Sequence, residues 1–376
     1  MDTIEKLGGF FEDPYSRARE LKEEGNKVFA ATPMYFPEEL VHAGGAFPIV
    51  LQDSAEPITY GYSYIYPFFC GFVRGNVDLA VKRKLDFCDA LVIDDMCSQS
   101  RTMIKVLKRR LPNTPTVFMQ WPLEASDRFF DTCVERLAKC RKDLEKLLGR
   151  KIEDKALEES FALYNQHRAV LRSVYELRKR KPWALGAKDY QALVMSSMLM
   201  PKEEHIPLVK GLLPELEKIE APAETGVKLY LAGHLCNAVK IDILDLIEEV
   251  GATVVGDDLY TGYRYYSTDI PGDRPPLEAL AWRYLNLEVP CPTRTELKIE
   301  WADYAVSKAR ECEAAGIVVL MNKQCGPQLL YQSFLKDVVD ASGMPHILIE
   351  TEHDVVSLEP VKTRLEAFVE MVKKGG

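Results

Sequence analysis

Three segments of this 376-residue chain close an apolar run with a cysteine: ALVIDDMC at Cys97, VKLYLAGHLC at Cys236 and GIVVLMNKQC at Cys325. A fourth thiol, Cys70, stands in YPFFCGFVRG, where an aromatic stretch runs into a helical pattern and a glycine follows at once. Thiolates from separate loops that meet in a cleft suit soft metals, and iron–sulfur clusters are held chiefly by cysteine. The competing reading is packing, because free cysteine is among the most buried residue types. There is no C-x2-C pair, no C-x2-C-x2-C run and no pair of neighbouring histidines, so spacing alone favours filler at any single position.

The elements that must carry these thiols follow from periodicity. KVFAAT, FPIVL, ALVIDD and TPTVFMQW read as strands, with helices over FPEELVHAGG, CGFVRGNVDLAVKRKL and SQSRTMIKVLKRR between them. Long charged helices without a strand follow, DRFFDTCVERLAKCRKDLEKLLG and DKALEESFALYNQHRAVLRSVYELRKR. Alternation resumes with strands VKLYLAG, ATVVGDD, GIVVLMN and HILIET, and with helices near AVKIDILDLIEEVG, PLEALAWRYLNL, after Pro327 and up to Val372. The expected fold is α/β: two open, parallel, Rossmann-like lobes, residues 1–126 and 214–376, joined by a helical connector over 127–213. In such sheets ligands bind beyond the carboxyl ends of the strands, where Cys97, Cys236 and Cys325 fall.

Composition narrows the class. The chain is 47% hydrophobic and 28% charged, as in folded globular proteins. A net charge of -9 argues against a nucleic-acid partner, which requires clustered positive surface. No stretch is long and apolar enough to span a bilayer, and the mixed-charge opening MDTIEKLGGFFEDPYSRARELKEEG does not read as a secretory leader, so the cytoplasm is the expected compartment. Nine scattered cysteines, an odd number, do not suggest a disulfide framework.

The blocks MYFPEELVHAGGAFPIVL, CGFVRGNVDLAVKRKLDFCDALVIDDMC, GRKIEDKALEESFALYNQHR, KEEH, IEEVGATVVGDDLYTGYRYY and NKQCGPQLLYQSFL resemble, in the same order, those of the 2-hydroxyacyl-CoA dehydratase and benzoyl-CoA reductase family. The length suits the smaller, β-type subunit of a heterodimeric dehydratase. The resemblance implies one 4Fe-4S cluster in the cleft, held by three cysteines and a non-cysteine fourth ligand. Position by position, those cysteines are Cys70 in FFCGF, Cys97 in DDMCSQ and Cys325 in NKQCGP. Cys236 falls where relatives only sometimes carry cysteine, and Cys291 in EVPCPTR lacks the close second cysteine of double-cubane relatives. Ser98 and Gly326 follow two of the ligands where many relatives have aspartate.

The implied activity is radical loss of water from an (R)-2-hydroxyacyl-CoA, through a ketyl, to a 2-enoyl-CoA. The implied partners are a homologous larger α-type subunit, an ATP-dependent iron–sulfur activator and the acyl-CoA thioester. The chain lacks a G-x4-G-K-[ST] phosphate loop, in keeping with ATP being hydrolysed elsewhere. Two alternatives accompany this reading: a subunit of a benzoyl-CoA-type reductase, and a noncatalytic electron-relay subunit.

Other residues have simpler explanations. His42 beside two glycines reads as a packing or capping histidine, and Glu38 and Glu39 as first-turn carboxylates facing a helix dipole. TYGYSYIYPFF before Cys70 suits either the wall of a dry pocket or a half-buried segment. Asp257 and Asp258 end a strand at the cleft edge with Arg264 near to neutralise them, and LRKRKP reads as a solvated helix end or a basic patch for CoA phosphates. Cys88, Cys133, Cys140 and Cys312 are expected to be structural, and the catalytic base is not assigned.

Overall fold

The computed structural model describes residues 2–53, 56–233, 242–296, 298–352 and 357–375. Two four-stranded parallel sheets form its frame. The first is built from β1 (Val28–Ala31), β2 (Phe47–Val50), β3 (Ala90–Asp94) and β4 (Thr116–Met119), with α1 (Asp2–Gly8), α2 (Ser16–Glu23), α3 (Glu38–Ala43), α4 (Gly71–Val81) and α5 (Ser98–Arg110) around it. Then come four helices, α6 (Phe130–Leu148), α7 (Asp154–Arg180), α8 (Ala187–Ser197) and α9 (Lys202–Glu217). The second sheet contains β5 (Val227–Gly233), β6 (Ala252–Asp257), β7 (Gly316–Asn322) and β8 (His346–Thr351), with α10 (Asp242–Glu249), α11 (Pro276–Leu285), α12 (Trp301–Glu311), α13 (Gly326–Ser342) and α14 (Glu359–Lys373).

The two sheets share one topology, β2-β1-β3-β4 and β6-β5-β7-β8. Every residue of β1 and β3 is buried, because a parallel sheet covered on both faces must be apolar throughout. Val28, Ala30, Leu91 and Ile93 join one core, and Phe29, Ala31, Ala90 and Val92 the core on the opposite face. In the second lobe Leu229, Leu231 and Val318 face one core and Tyr230, Ala232 and Val319 the other. Each fully buried valine or leucine here stabilises the fold by roughly 1.5–3 kcal/mol.

The strand order reverses between β1 and β3, and again between β5 and β7. Loops leaving these neighbours diverge, which opens a crevice at the carboxyl edge of each sheet. Gly233 ends β5 at φ +115°, and a Cβ there would collide with the Leu320 carbonyl oxygen of β7, so glycine is required at this crossing.

The helices after β4 are not a free-standing bridge. Cys133, Leu137 and Phe161 of α6 and α7 complete one core of the first sheet, and Val174, Leu193 and Val209 of α7, α8 and α9 the other. The 213–214 boundary falls inside α9. Helix α11 also returns to the first lobe, where Tyr284 stacks on Trp121 with ring centroids 3.9 Å apart. Among the described residues, no helix is long and apolar enough to cross a membrane.

Candidate functional site: three cysteines at three helix N-termini

Cys70, Cys97 and Cys325 occupy the same structural position three times over. Each is the N-cap of a helix: Cys70 of α4, Cys97 of α5 and Cys325 of α13. At Cys97 the sulfur also accepts the amide hydrogen three residues on, from Ser100. A thiol has taken the place usually held by serine or aspartate in satisfying an orphan amide of the first turn. At Cys97 the cap is reciprocal: the Ser100 amide lies 3.4 Å from Sγ, and the Cys97 N–H donates to Ser100 Oγ at 3.2 Å.

Cys97 and Cys325 stand three residues beyond β3 and β7, equivalent strands of the two lobes. The structure brings the three thiols into one electrostatic neighbourhood. Burial pushes the Cys70 thiol up from its usual range, and the charges of Cys325 and Cys97 push it further. Burial raises Cys325 to about 12, and Cys97 and then Cys291 add to the rise.

Gln99 ties the loops together. Its Oε1 accepts the Cys70 main-chain N–H at 2.8 Å, and its Nε2 donates to the Gln324 carbonyl at 2.9 Å. Gln324 adopts the left-handed conformation, φ +70°, immediately before Cys325. A non-glycine residue held in that region is a site of local strain. Arg74, one turn after Cys70, makes a second link between the lobes, pairing with Glu352 beyond β8 and donating to Tyr62 Oη at 2.7 Å. The alignment of these glutamines depends on tertiary structure, so Gln99 has no sequence signature.

Among the described residues no three His, Cys, Asp or Glu side chains are grouped to clasp a single ion. The thiols nevertheless influence one another. Three thiols on separate segments are donors of the type that iron–sulfur clusters take. The positive ends of three helix dipoles add a preference for negative charge.

With this geometry in place, comparison with known proteins identifies the lineage. A model of the 2-hydroxyglutaryl-CoA dehydratase D-component family matches residues 33–372. The chain belongs to that family. It is 28% identical to the (R)-phenyllactyl-CoA dehydratase beta subunit of Clostridium sporogenes, over 94% of this chain and 93% of the relative. It is 29% identical to the beta subunit of lactoyl-CoA dehydratase from Anaerotignum propionicum, over 93% of both. A benzoyl-CoA reductase subunit of Thauera aromatica is 25% identical, over 99% of this chain and 98% of the relative.

The remaining residues singled out in this dehydratase-family chain sort by environment. Cys88, Cys133, Cys140 and Cys312 are buried, and Cys236 lies outside the described residues. Cys291 is buried beside Thr293 Oγ1, 3.1 Å from its sulfur. His42 joins three helices, with Nδ1 2.9 Å from Ser160 Oγ and Nε2 3.1 Å from Glu203. Glu38 and Glu39 do more than face a helix dipole. Both are buried, Glu38 against Lys202 at 3.2 Å and Glu39 against Arg168.

Asp258 accepts from Gly233 N–H and Trp301 Nε1, and Asp257 from Leu259 and Tyr263 N–H, so both fasten the end of β6. Arg264 stands 3.9 Å from Asp258 and directs its hydrogen bonds mainly to main-chain carbonyls, including that of Val289. LRKRKP is not a solvated run: Arg178 is buried, donates to the Leu185 and Val254 carbonyls, and lies 4.1 Å over the Tyr190 ring. The aromatic segment before Cys70 lines no dry pocket. Tyr60, Tyr62, Tyr64, Tyr66 and Phe68 are exposed, with Tyr66 and Phe68 stacked 5.2 Å apart. A cavity of about 570 Å³ opens near the far end of α4, between Tyr15, Leu79, Lys84 and Phe87, and no thiol lines it.

Proposed function

We propose that this chain is the β-type iron–sulfur subunit of an oxygen-sensitive, cytoplasmic 2-hydroxyacyl-CoA dehydratase. Cys70, Cys97 and Cys325 hold one 4Fe-4S cluster, with a non-cysteine fourth ligand. The observation that carries the reading is the threefold repetition of a cysteine N-cap at helices whose thiols feel one another's charge. When bound, a cluster of this kind supplies low-potential one-electron transfer and, at an open iron, Lewis acidity. The chain's own contribution is to hold it. Three helices begin at the three cysteines, and the Ser100 N–H donates to the Cys97 sulfur. Gln99 sets the distance between the loops, and the Arg74–Glu352 pair closes the two lobes on each other nearby.

The partners in this reading are a homologous α-type subunit, an ATP-hydrolysing activator that delivers the electron, and the acyl-CoA thioester. Exposed apolar side chains flank the thiols: Tyr66 and Phe68 before Cys70, and Leu330 and Phe334 on α13 after Cys325. Apolar surface of this kind marks interaction sites, and we assign this face to the α-type subunit. The relatives named as beta subunits of phenyllactyl-CoA and lactoyl-CoA dehydratases support the assignment.

The match to a benzoyl-CoA reductase component, which spans nearly the whole chain, favours one second reading, a subunit of a benzoyl-CoA-type reductase. The anaerobic complex, reduced by activator and ATP, should be offered a 2-hydroxyacyl-CoA and benzoyl-CoA in parallel. The dehydratase reading expects the 2-enoyl-CoA. Ring reduction alone would establish the second reading, and a complex that turns over neither thioester would leave an electron-relay role.

A further inference from the structure

Helix α13 buries a stripe made of Gln328, Leu335 and Val339, spaced i, i+7 and i+11. At the last two positions the side chains are apolar, as a core stripe requires. Gln328 is not. It is 2% exposed, and neither Oε1 nor Nε2 has a hydrogen-bond partner. Among the described residues it is the one side chain with two buried polar atoms left unpaired. Gln99, on the first turn of the helix behind Cys97, commits both of its amide atoms. Asn322 Oδ1, three residues before Cys325, is also buried without a partner.

An unpaired buried polar group costs about 1–3 kcal/mol, and methionine at this position would remove the cost while filling a similar volume. An amide kept at such a site calls for a ligand to complete it. Its location indicates which. Gln328 stands three residues after Cys325, in the first turn of the helix that Cys325 begins. A side-chain amide offers an N–H donor, and the acceptors a cluster brings are anionic sulfurs.

We propose that the Gln328 side chain donates an N–H to sulfur at the Cys325 corner of the bound cluster and thereby sets its reduction potential. The inference rests on the cluster assignment above. Hydrogen bonds to cluster sulfurs stabilise the more negative, reduced form and so raise the potential. Gln328 is in this sense a tuning and positioning residue and not a catalytic one.

The test is an anaerobic redox titration, followed by EPR, of the cluster-loaded full chain as wild type, Gln328→Met and Gln328→Glu. The methionine variant should hold the same iron and sulfide, reduce at a more negative midpoint, and melt at a higher temperature than wild type when both are metal-free. The glutamate variant, with a charge in place of a donor, should shift further negative. An unchanged midpoint in a fully loaded Gln328→Met protein overturns the proposal and leaves the cluster assignment intact. Wild-type protein that takes up no cluster overturns both. Should the methionine variant lose iron, pulsed EPR on wild type labelled with 15N in glutamine side chains decides: a coupling from that nitrogen supports the contact, and its absence overturns it.

Discussion

The side-chain amide of Gln99 donates to the main-chain carbonyl of Gln324 across 225 positions of sequence, at 2.9 Å. The same amide accepts from Cys70, so one residue on the helix capped by Cys97 fixes the loops of the other two thiols. Gln99→Leu should remove both bonds at about 1 kcal/mol each, with a lower melting temperature and less iron retained after anaerobic gel filtration. Gln99→Glu keeps the acceptor for Cys70 but faces the Gln324 carbonyl with another acceptor, and should fall between leucine and wild type. Equal iron retention in Gln99→Leu and wild type would remove Gln99 from the account.

Arg74 and Glu352 join α4 to the chain beyond β8, with side chains 4% and 18% exposed. Deleting one partner of a buried pair strands the other charge. Arg74→Met should therefore destabilise the protein by about 3 kcal/mol, the low end for buried pairs because Glu352 keeps some water. The double change Arg74→Met with Glu352→Gln should recover part of that loss. A thermal melt of wild type and the two variants checks this, and a silent Arg74→Met would show that the lobes are held by other contacts.

Stability should fall on the acid side for a reason remote from the thiols. His205 and His167 are buried nitrogen to nitrogen at 3.1 Å, and His205 also faces the Leu193 carbonyl at 3.1 Å. Burial, with Lys202 nearby, lowers His205 from 6.5 to about 3, and burial and then the charge of His205 take His167 well below 6.5. Both are neutral folded and unfolded above pH 6.5, so their contribution is intact there. Below 6.5 only the unfolded chain takes up the proton, and stability drops by about 1.4 kcal/mol per pH unit for each histidine until the folded value is approached. Urea unfolding at pH 7.5, 6.5 and 5.5 should show this slope in wild type and a shallower one in His205→Gln. Identical slopes would contradict it.

Leu330 is 81% exposed on α13, five residues past Cys325. If the face it shares with Phe334 receives the α-type subunit, Leu330→Asp should weaken association at least tenfold, about 1.4 kcal/mol, without changing the melting temperature of the isolated chain. Titration of the two subunits by calorimetry reads the affinity, and a thermal melt of the chain alone reads the second quantity. Unaltered affinity would move the interface elsewhere.

Much of this architecture is visible in the chain because parallel strands write themselves as uninterrupted apolar runs. GIVVLMN and VKLYLAG are β7 and β5 residue for residue. SQSRTMIKVLKRR is α5 in full, since its Met103, Ile104 and Leu107 face inward and basic residues close its last turn. Helix α12 is harder to read: Ala302, Ala305 and Ala309 make up much of its buried stripe, and alanine writes a weak periodicity. The aromatic run before Cys70 has the alternation of a half-buried segment yet lies exposed, because nothing among the described residues covers it. Cysteine as an N-cap, Gln99 as a bridge and Gln328 as an unpaired amide depend on which strand ends become neighbours. No local pattern encodes that.

The central claim is that Cys70, Cys97 and Cys325 hold a single cube, and the most direct measurement is anaerobic iron and acid-labile sulfide analysis with EPR of the reduced protein. Wild type should contain about four irons and four sulfides per chain with one cluster signal. Cys70→Ala, Cys97→Ala and Cys325→Ala should each lose or alter that signal, while Cys88→Ala and Cys140→Ala should retain it. A full, unaltered cluster in all three of the former variants would contradict the account.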